Sequence, residues 1–300
     1  MAKNILATLM AGSFSLAIAA CSTSTDKVST SASLEKAVPT VDVVLPEGLA
    51  ASIEARDEKD KARDKWRNPG ETLAFFGITA DMSVVETLPG GGWYSRILIP
   101  FLDEKGTYGA ASYPYAMFPK ILSNPPDEFL AQAKVWPETF PGQAASWGAT
   151  GEVRAFEFGK APEVMFDSVD AVLMIRALHN FNRAGGDFGE EALGDIYAVL
   201  KPGGILGIVQ HRVKAGDDGV PTDGTNGYMS EQAIIDMVTA EGFVFEAKAE
   251  MNANPADMPG KSDVVWRLPP SLAYGEKDRA KHEAIGETDR VTMRFRKPIG

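Results

Sequence analysis

Apolar positions along the chain follow two spacings that alternate from about residue 68 onward. Short apolar runs predict buried strands at Ser83–Thr87, Thr107–Tyr113, Glu152–Phe158, Ser168–Ile175, Ile205–Gln210, Phe243–Ala249 and Val291–Arg296. Between them, one-sided helical spacing predicts helices at Trp93–Leu102, Phe188–Leu200 and Glu231–Ala240, the last with Ser230 at its N-cap and Gly242 just beyond its end. Upstream, Asn68-Pro69-Gly70-Glu71 combines a capping residue, a proline at the first helical position and a glutamate at the third, so a helix runs from there to near Gly77. The stretch from Pro46 to about Lys65 reads as a mostly solvated helix with Leu49, Ile53 and Arg56 on one face. The segment Pro114–Gly151, rich in Pro, Trp and Phe, contains a helix around Glu128–Val135 and is placed to act as a lid.

Strands alternating with helices imply an α/β fold with a mostly parallel sheet covered on both faces. Neither an internal repeat nor a second core is visible, so one domain, residues 46–300, is expected. A length of 300 residues with 44% hydrophobic and 24% charged side chains suits an ordinary globular core. The formal charge of −11 repels a phosphate backbone, which argues against a nucleic-acid partner. One cysteine cannot form an internal disulfide, and three histidines without a close His/Cys pairing offer no zinc site.

The first twenty residues carry Lys3 ahead of an apolar, small-residue stretch ending Ile18-Ala19-Ala20, the pattern of a cleaved secretory signal. The sole cysteine follows directly, and this junction resembles a bacterial lipobox, which implies that Cys21 becomes the lipidated first residue of the mature chain. The Ser- and Thr-rich residues 22–33 then form a tether, with residues 21–45 reaching to the domain. Ser22 resembles the sorting signal for the outer membrane, so the expected location is the envelope, anchored on its periplasmic face.

In a parallel α/β sheet, ligands bind beyond the carboxyl ends of the strands, and a glycine-rich turn after the first strand lets backbone approach them closely. Here that turn is Glu86-Thr87-Leu88-Pro89-Gly90-Gly91-Gly92, with Trp93 and Tyr94 opening the next helix. It resembles the first motif of class I S-adenosylmethionine-dependent methyltransferases, and Leu88 stands where that motif expects its first glycine. Downstream, FDSVDAVLMIRALHNF and IYAVLKPGGILGIV are similar to the family's fourth and fifth strands with their flanking turns. Together with DKWRNPGETLAFFG, PGGGWY and VVWRLPP they resemble an uncharacterised bacterial branch of predicted methyltransferases.

The resemblance implies a Rossmann-like doubly wound sheet of seven strands, the last antiparallel, and S-adenosylmethionine as cofactor. Glu86 would then hold the methionine ammonium, directly or through water, and Gly90, Gly91 and Gly92 would admit the cofactor. The family's acid at the end of strand two, which grips the ribose, is replaced by Ala111-Ser112-Tyr113. Ser112 is left as the polar group there, with Tyr113 or Tyr115 either stacking on adenine or packing in the core or lid.

His179 and Asn180 follow strand four, where the resemblance places substrate-facing residues and makes Asn180 a cofactor contact, and His211 and Arg212 end strand five at the same rim. Two of three histidines at one rim make His179 or His211 a candidate general base, with Arg212 orienting an anionic acceptor, against a purely structural role for each. Trp93 and Tyr94 either shape the methyl pocket or pack on the sheet. Residues 64–68 cover the cofactor or simply end a solvated helix, Trp266–Pro270 walls the acceptor site or packs as a loop, and His282 reads as surface. A small-molecule acceptor is expected. Because export separates the chain from cytosolic cofactor, the alternative is a non-catalytic envelope lipoprotein using the fold as a binding module. A hydrolase lacks its G-x-S-x-G elbow, and a nicotinamide enzyme its G-x-G-x-x-G turn.

Overall fold

The computed structural model describes residues 44–102, 105–214 and 219–300. Cys21, the signal sequence and nearly all of the tether lie outside these residues. The described strands are β1 (Ser83–Thr87), β2 (Thr107–Ser112), β3 (Arg154–Glu157), β4 (Val169–Ile175), β5 (Leu200–His211), β6 (Val244–Ala249) and β7 (Arg290–Arg296). They form one seven-stranded sheet in the order β3-β2-β1-β4-β5-β7-β6. The pairs from β3 through to β5 are all parallel, and β7 inserts antiparallel between β5 and β6. This is the α/β sheet of the sequence pattern, with the seven strands and antiparallel last strand that the resemblance implied.

The two-residue period of each strand builds the two layers. Val84, Ala110, Ala171, Leu173 and Val209 face the helices Pro69–Phe76, Ser95–Leu102 and Trp136–Ser146. Val85, Ala111, Val172, Met174 and Ile208, one residue out of phase, face the helices Phe188–Val199 and Glu231–Ala240. Burying each large apolar side chain in these layers contributes about 1.5–3 kcal/mol. Gly207 in β5 lies directly under Phe76, and a Cβ there would stand 2.7 Å from the ring. Ser230 caps its helix as expected, its hydroxyl accepting from the Ala233 N–H at 3.1 Å.

Three local expectations are corrected. The stretch after Pro46 is not one solvated helix but three short ones, Leu49–Glu54, Glu58–Lys61 and Asp64–Arg67, and they bury Leu49, Arg56, Asp60 and Arg67. The buried charges of this segment are paired: Arg56 binds Asp64 at 2.6 Å and Asp60 binds Arg96 at 2.6 Å. Asn68 does not cap the helix Pro69–Phe76; it sits in the left-handed region at φ 39° and donates its amide to the Met251 carbonyl. His282 is buried rather than exposed, edge-on to Tyr274.

Candidate functional site

β1 delivers the chain to the carboxyl rim of the sheet, where the next turn needs left-handed backbone. Gly90 and Gly92 adopt φ of 56° and 77°, and Leu88 adopts φ 50° without being a glycine. That conformation costs about 1–2 kcal/mol for a residue with a Cβ. It is held by the Leu88 N–H donating to the Ala111 carbonyl at 2.7 Å, which ties the turn to β2. Around Gly91 there is open space, and around Gly90 only the Leu88 carbonyl comes near, at 3.8 Å. Gly92 differs, because the Trp147 indole covers it and a Cβ there would approach that ring to 2.6 Å.

Two clefts open at this rim. The larger, about 600 Å³, is bounded by Leu88, Pro89, Gly90 and Ser112 on the sheet side and by Phe118, Phe129 and Trp136 from the segment after β2. The smaller, about 310 Å³, is lined by Tyr113, Arg176, His179, Asn180 and His211 and walled by Trp266, Leu268, Pro269 and Pro270. Leu88 and Phe118 line both, so the two spaces share one partition. A further cavity of about 190 Å³ lies against Ser83 and Thr107, the first residues of β1 and β2, away from the glycine turn.

Glu86 lines neither cleft. Its Oε2 accepts from the Ser95 hydroxyl at 2.7 Å and the Tyr108 hydroxyl at 2.8 Å, beneath the turn. Burial pushes its carboxyl up to about 7, with the two hydroxyls and Arg96 opposing. Glu86 therefore fastens β1 to the helix Ser95–Leu102, behind the backbone that meets the cleft. Trp93 is likewise structural: its indole N–H donates to the Asp60 carbonyl at 3.1 Å, and the Arg56 and Arg67 guanidiniums lie 4.8 and 4.7 Å from its ring. Tyr94 packs edge-on against it, and neither aromatic lines a cleft.

Tyr113 is in the smaller cleft, apart from its neighbour Ser112. Its hydroxyl donates to the Ala177 carbonyl at 2.6 Å and accepts from Asn180 at 3.0 Å, while its ring packs edge-on against Phe181 and Phe118. Tyr115 lines neither cleft; its backbone N–H donates to Glu157. The flat faces beside Ser112 come instead from Phe118, Phe129 and Trp136, which sequence reasoning treated only as lid. Their signal was the aromatic density of the segment, without a period to single them out.

The two histidines do meet, with ring centroids 5.4 Å apart. His179 Nδ1 lies 3.3 Å from Gln210 Oε1 and 3.2 Å from Gln210 Nε2, whose N–H groups also donate to the Gly227 and His211 carbonyls at 3.0 and 3.3 Å; His179 Nε2 is buried without a partner among the described residues. Burial pushes His179 down to about 4, the Gln210 bond opposing and Arg183 and Arg176 adding to the depression. His211 Nδ1 lies 2.6 Å from the Thr288 hydroxyl, and burial also holds this ring well below the usual histidine range. Burial thus favours the neutral form of both rings. Arg212 is not at the cleft: it binds Asp289 at 2.8 Å, Glu231 at 2.7 Å and Glu250 at 2.8 Å, so its fork is spent on carboxylates and is not free to orient an anion.

Residues 64–68 line neither cleft, and Arg67 instead binds Glu287 at 3.1 Å. The stiff segment Trp266–Pro270 does wall the smaller cleft. Arg176, which sequence reasoning passed over inside the apolar run LMIRAL, lines that cleft as well. Among the described residues no group of three His, Cys, Asp or Glu side chains is placed to hold a metal ion.

No protein-family model and no curated protein matches the chain. Among solved structures it is similar to a SAM-dependent methyltransferase from Aquifex aeolicus, at 20% identity over 67% of this chain and 92% of that one, TM-score 0.45. It is also similar to an S-adenosylmethionine-dependent methyltransferase from Mesorhizobium loti, at 13% identity over 79% and 99%, TM-score 0.43. A third similar structure is the [4+2]-cyclase SpnF, at 15% identity over 78% and 81%, TM-score 0.46.

Proposed function

We propose that this chain is an S-adenosylmethionine-dependent methyltransferase for a small acceptor, held at the bacterial envelope through a lipidated Cys21. One observation carries the reading. A glycine-turn cleft and a histidine-lined cleft adjoin at the carboxyl rim of the sheet and share Leu88 and Phe118 as their partition. That arrangement suits a cofactor and an acceptor that meet at one point.

The larger cleft fits the cofactor in volume and in its open face over Gly90. Gly90 and Gly91 would let backbone approach it, the Ser112 hydroxyl would take the place of the missing acid, and Phe118, Phe129 and Trp136 would face the base. When bound, the cofactor supplies a methyl group on a sulfonium sulfur. An acceptor that takes this methyl group would give up a proton, which calls for a base beside it. With Nδ1–H assigned toward Gln210, His179 Nε2 keeps its lone pair to receive that proton.

Titration calorimetry of the full chain with S-adenosylhomocysteine tests this reading. One site is expected, and Ser112→Asp is expected to tighten it roughly ten-fold by adding a charge-assisted bond. An unchanged affinity in Ser112→Asp would remove Ser112 from the site, and no binding by either protein would overturn the reading.

The second reading, a non-catalytic envelope protein that keeps the fold for another ligand, has Leu88 in its favour. Its side chain stands at the partition where the family pattern has a glycine, and Trp147 fills the space over Gly92. Such a protein would give no heat with any adenosyl compound.

A further inference from the structure

The smaller cleft contains a guanidinium with an unused fork. Arg176 follows β4 in the left-handed region at φ 57°, fixed there by its N–H donating to the Val209 carbonyl at 2.6 Å. Its Nε is buried without a hydrogen-bond partner, and the nearest carboxylate oxygen, on Glu287, is 3.9 Å from Nη1. That carboxylate is already taken by Arg63 at 2.7 Å, Arg67 at 3.1 Å and Arg290 at 2.9 Å. Four guanidiniums against one carboxylate leave three positive charges in formal excess. Burial presses the Arg176 guanidinium down to about 10, with Arg290 and Arg63 adding to it and Glu287 opposing.

A second feature points to the same space. His179 is 2% exposed, its Nε2 is buried without a partner among the described residues, and the residue lines the same cleft, whose walls include the apolar Leu88, Trp266, Pro269 and Pro270 beside the polar Tyr113, Asn180, His211 and Thr288. Arg183 lies 4.4 Å over the Trp266 ring and donates to the Asn180 side-chain carbonyl and the Ile121 carbonyl, with no acid paired to it among the described residues. A free guanidinium fork matches a planar carboxylate with two parallel hydrogen bonds.

We propose that this cleft takes an acceptor bearing a carboxylate on a flat apolar body, with Arg176 receiving the carboxylate and His179 standing at the group to be methylated. The reaction rests on the methyltransferase reading; the binding does not. Benzoate and benzamide have nearly the same shape and differ in charge, and ligand-observed NMR on the full chain without cofactor compares them. Benzoate is expected to bind at least about ten-fold more tightly. Arg176→Gln is expected to erase that preference and Arg176→Lys to keep part of it. Equal binding of the two probes by the unaltered chain, which needs no variant to fold, would overturn the proposal. So would an unchanged preference in Arg176→Gln.

S-adenosylhomocysteine and 5′-methylthioadenosine, which lacks the amino-acid carboxylate, separate the two sources of an anion. Arg176→Gln is expected to leave both affinities unchanged. A ten-fold loss confined to S-adenosylhomocysteine would assign the fork to the cofactor's own carboxylate and overturn the acceptor assignment. A chain that prefers benzoate but binds neither adenosyl compound would refute the methyltransferase reading and support the carboxylate site.

Discussion

Alanine in place of Glu287 is expected to lower the unfolding temperature by roughly 6–20 °C, the equivalent of about 3–5 kcal/mol for breaking a buried ion pair from one side. Glu287 is where distant parts of the chain are joined. Arg63 and Arg67 reach it from the short helices before β1, and Arg290 reaches it from the start of β7. Arg67, Glu287 and Arg290 are all buried. Removing the carboxylate leaves the Arg67 and Arg290 guanidiniums out of water with no counter-charge, and the Arg67 plane still held against Trp93. Glu287→Gln keeps an acceptor oxygen but no charge, so it should recover only part of the loss. A scan showing a drop below about 2 °C for the alanine variant would mean that these arginines find other partners.

The second large effect concerns the proposed reaction. His179→Ala is expected to reduce kcat by about 10²–10⁴-fold, the usual contribution of a positioned general base. The pH profile gives an independent check. The folded-state value of His179 is depressed to about 4, so the neutral, proton-accepting form is present throughout the neutral range. Turnover should therefore stay level from pH 8 down to about 5 and fall only as the ring becomes protonated near pH 4. A decline centred near 6.5 would indicate an unburied imidazole and would remove His179 from this role.

Much of the sheet was legible because strand period and helix period are local properties. Val84 and Val85 fall on opposite faces by alternation alone, and Ser230 caps its helix through a bond three residues away. The glycine turn was legible for the same reason, since Gly90 and Gly92 need left-handed backbone within a few residues of β1. What stayed hidden depends on pairs far apart in sequence. Arg67 looked like the solvated end of a helix because its carboxylate partner lies 220 residues away. Arg212 looked free for an acceptor because Asp289, 77 residues on, and Glu250 are what bind it. Tyr113 looked available for stacking, yet Ala177 and Asn180 hold its hydroxyl. Arg176 carried no signal at all, because an arginine becomes a candidate anion site only when its neighbours are seen to leave it unpaired.

Hydrogen–deuterium exchange of the full chain, with and without S-adenosylmethionine, tests the central claim most directly, because it reports where the cofactor lies as well as whether it binds. The two-cleft account predicts slowed exchange at Leu88 and Gly90 and along residues 129–139, which border the larger cleft, and little change at the amino ends of β1 and β2. Saturating cofactor that leaves the glycine turn exchanging at its free rate would contradict it.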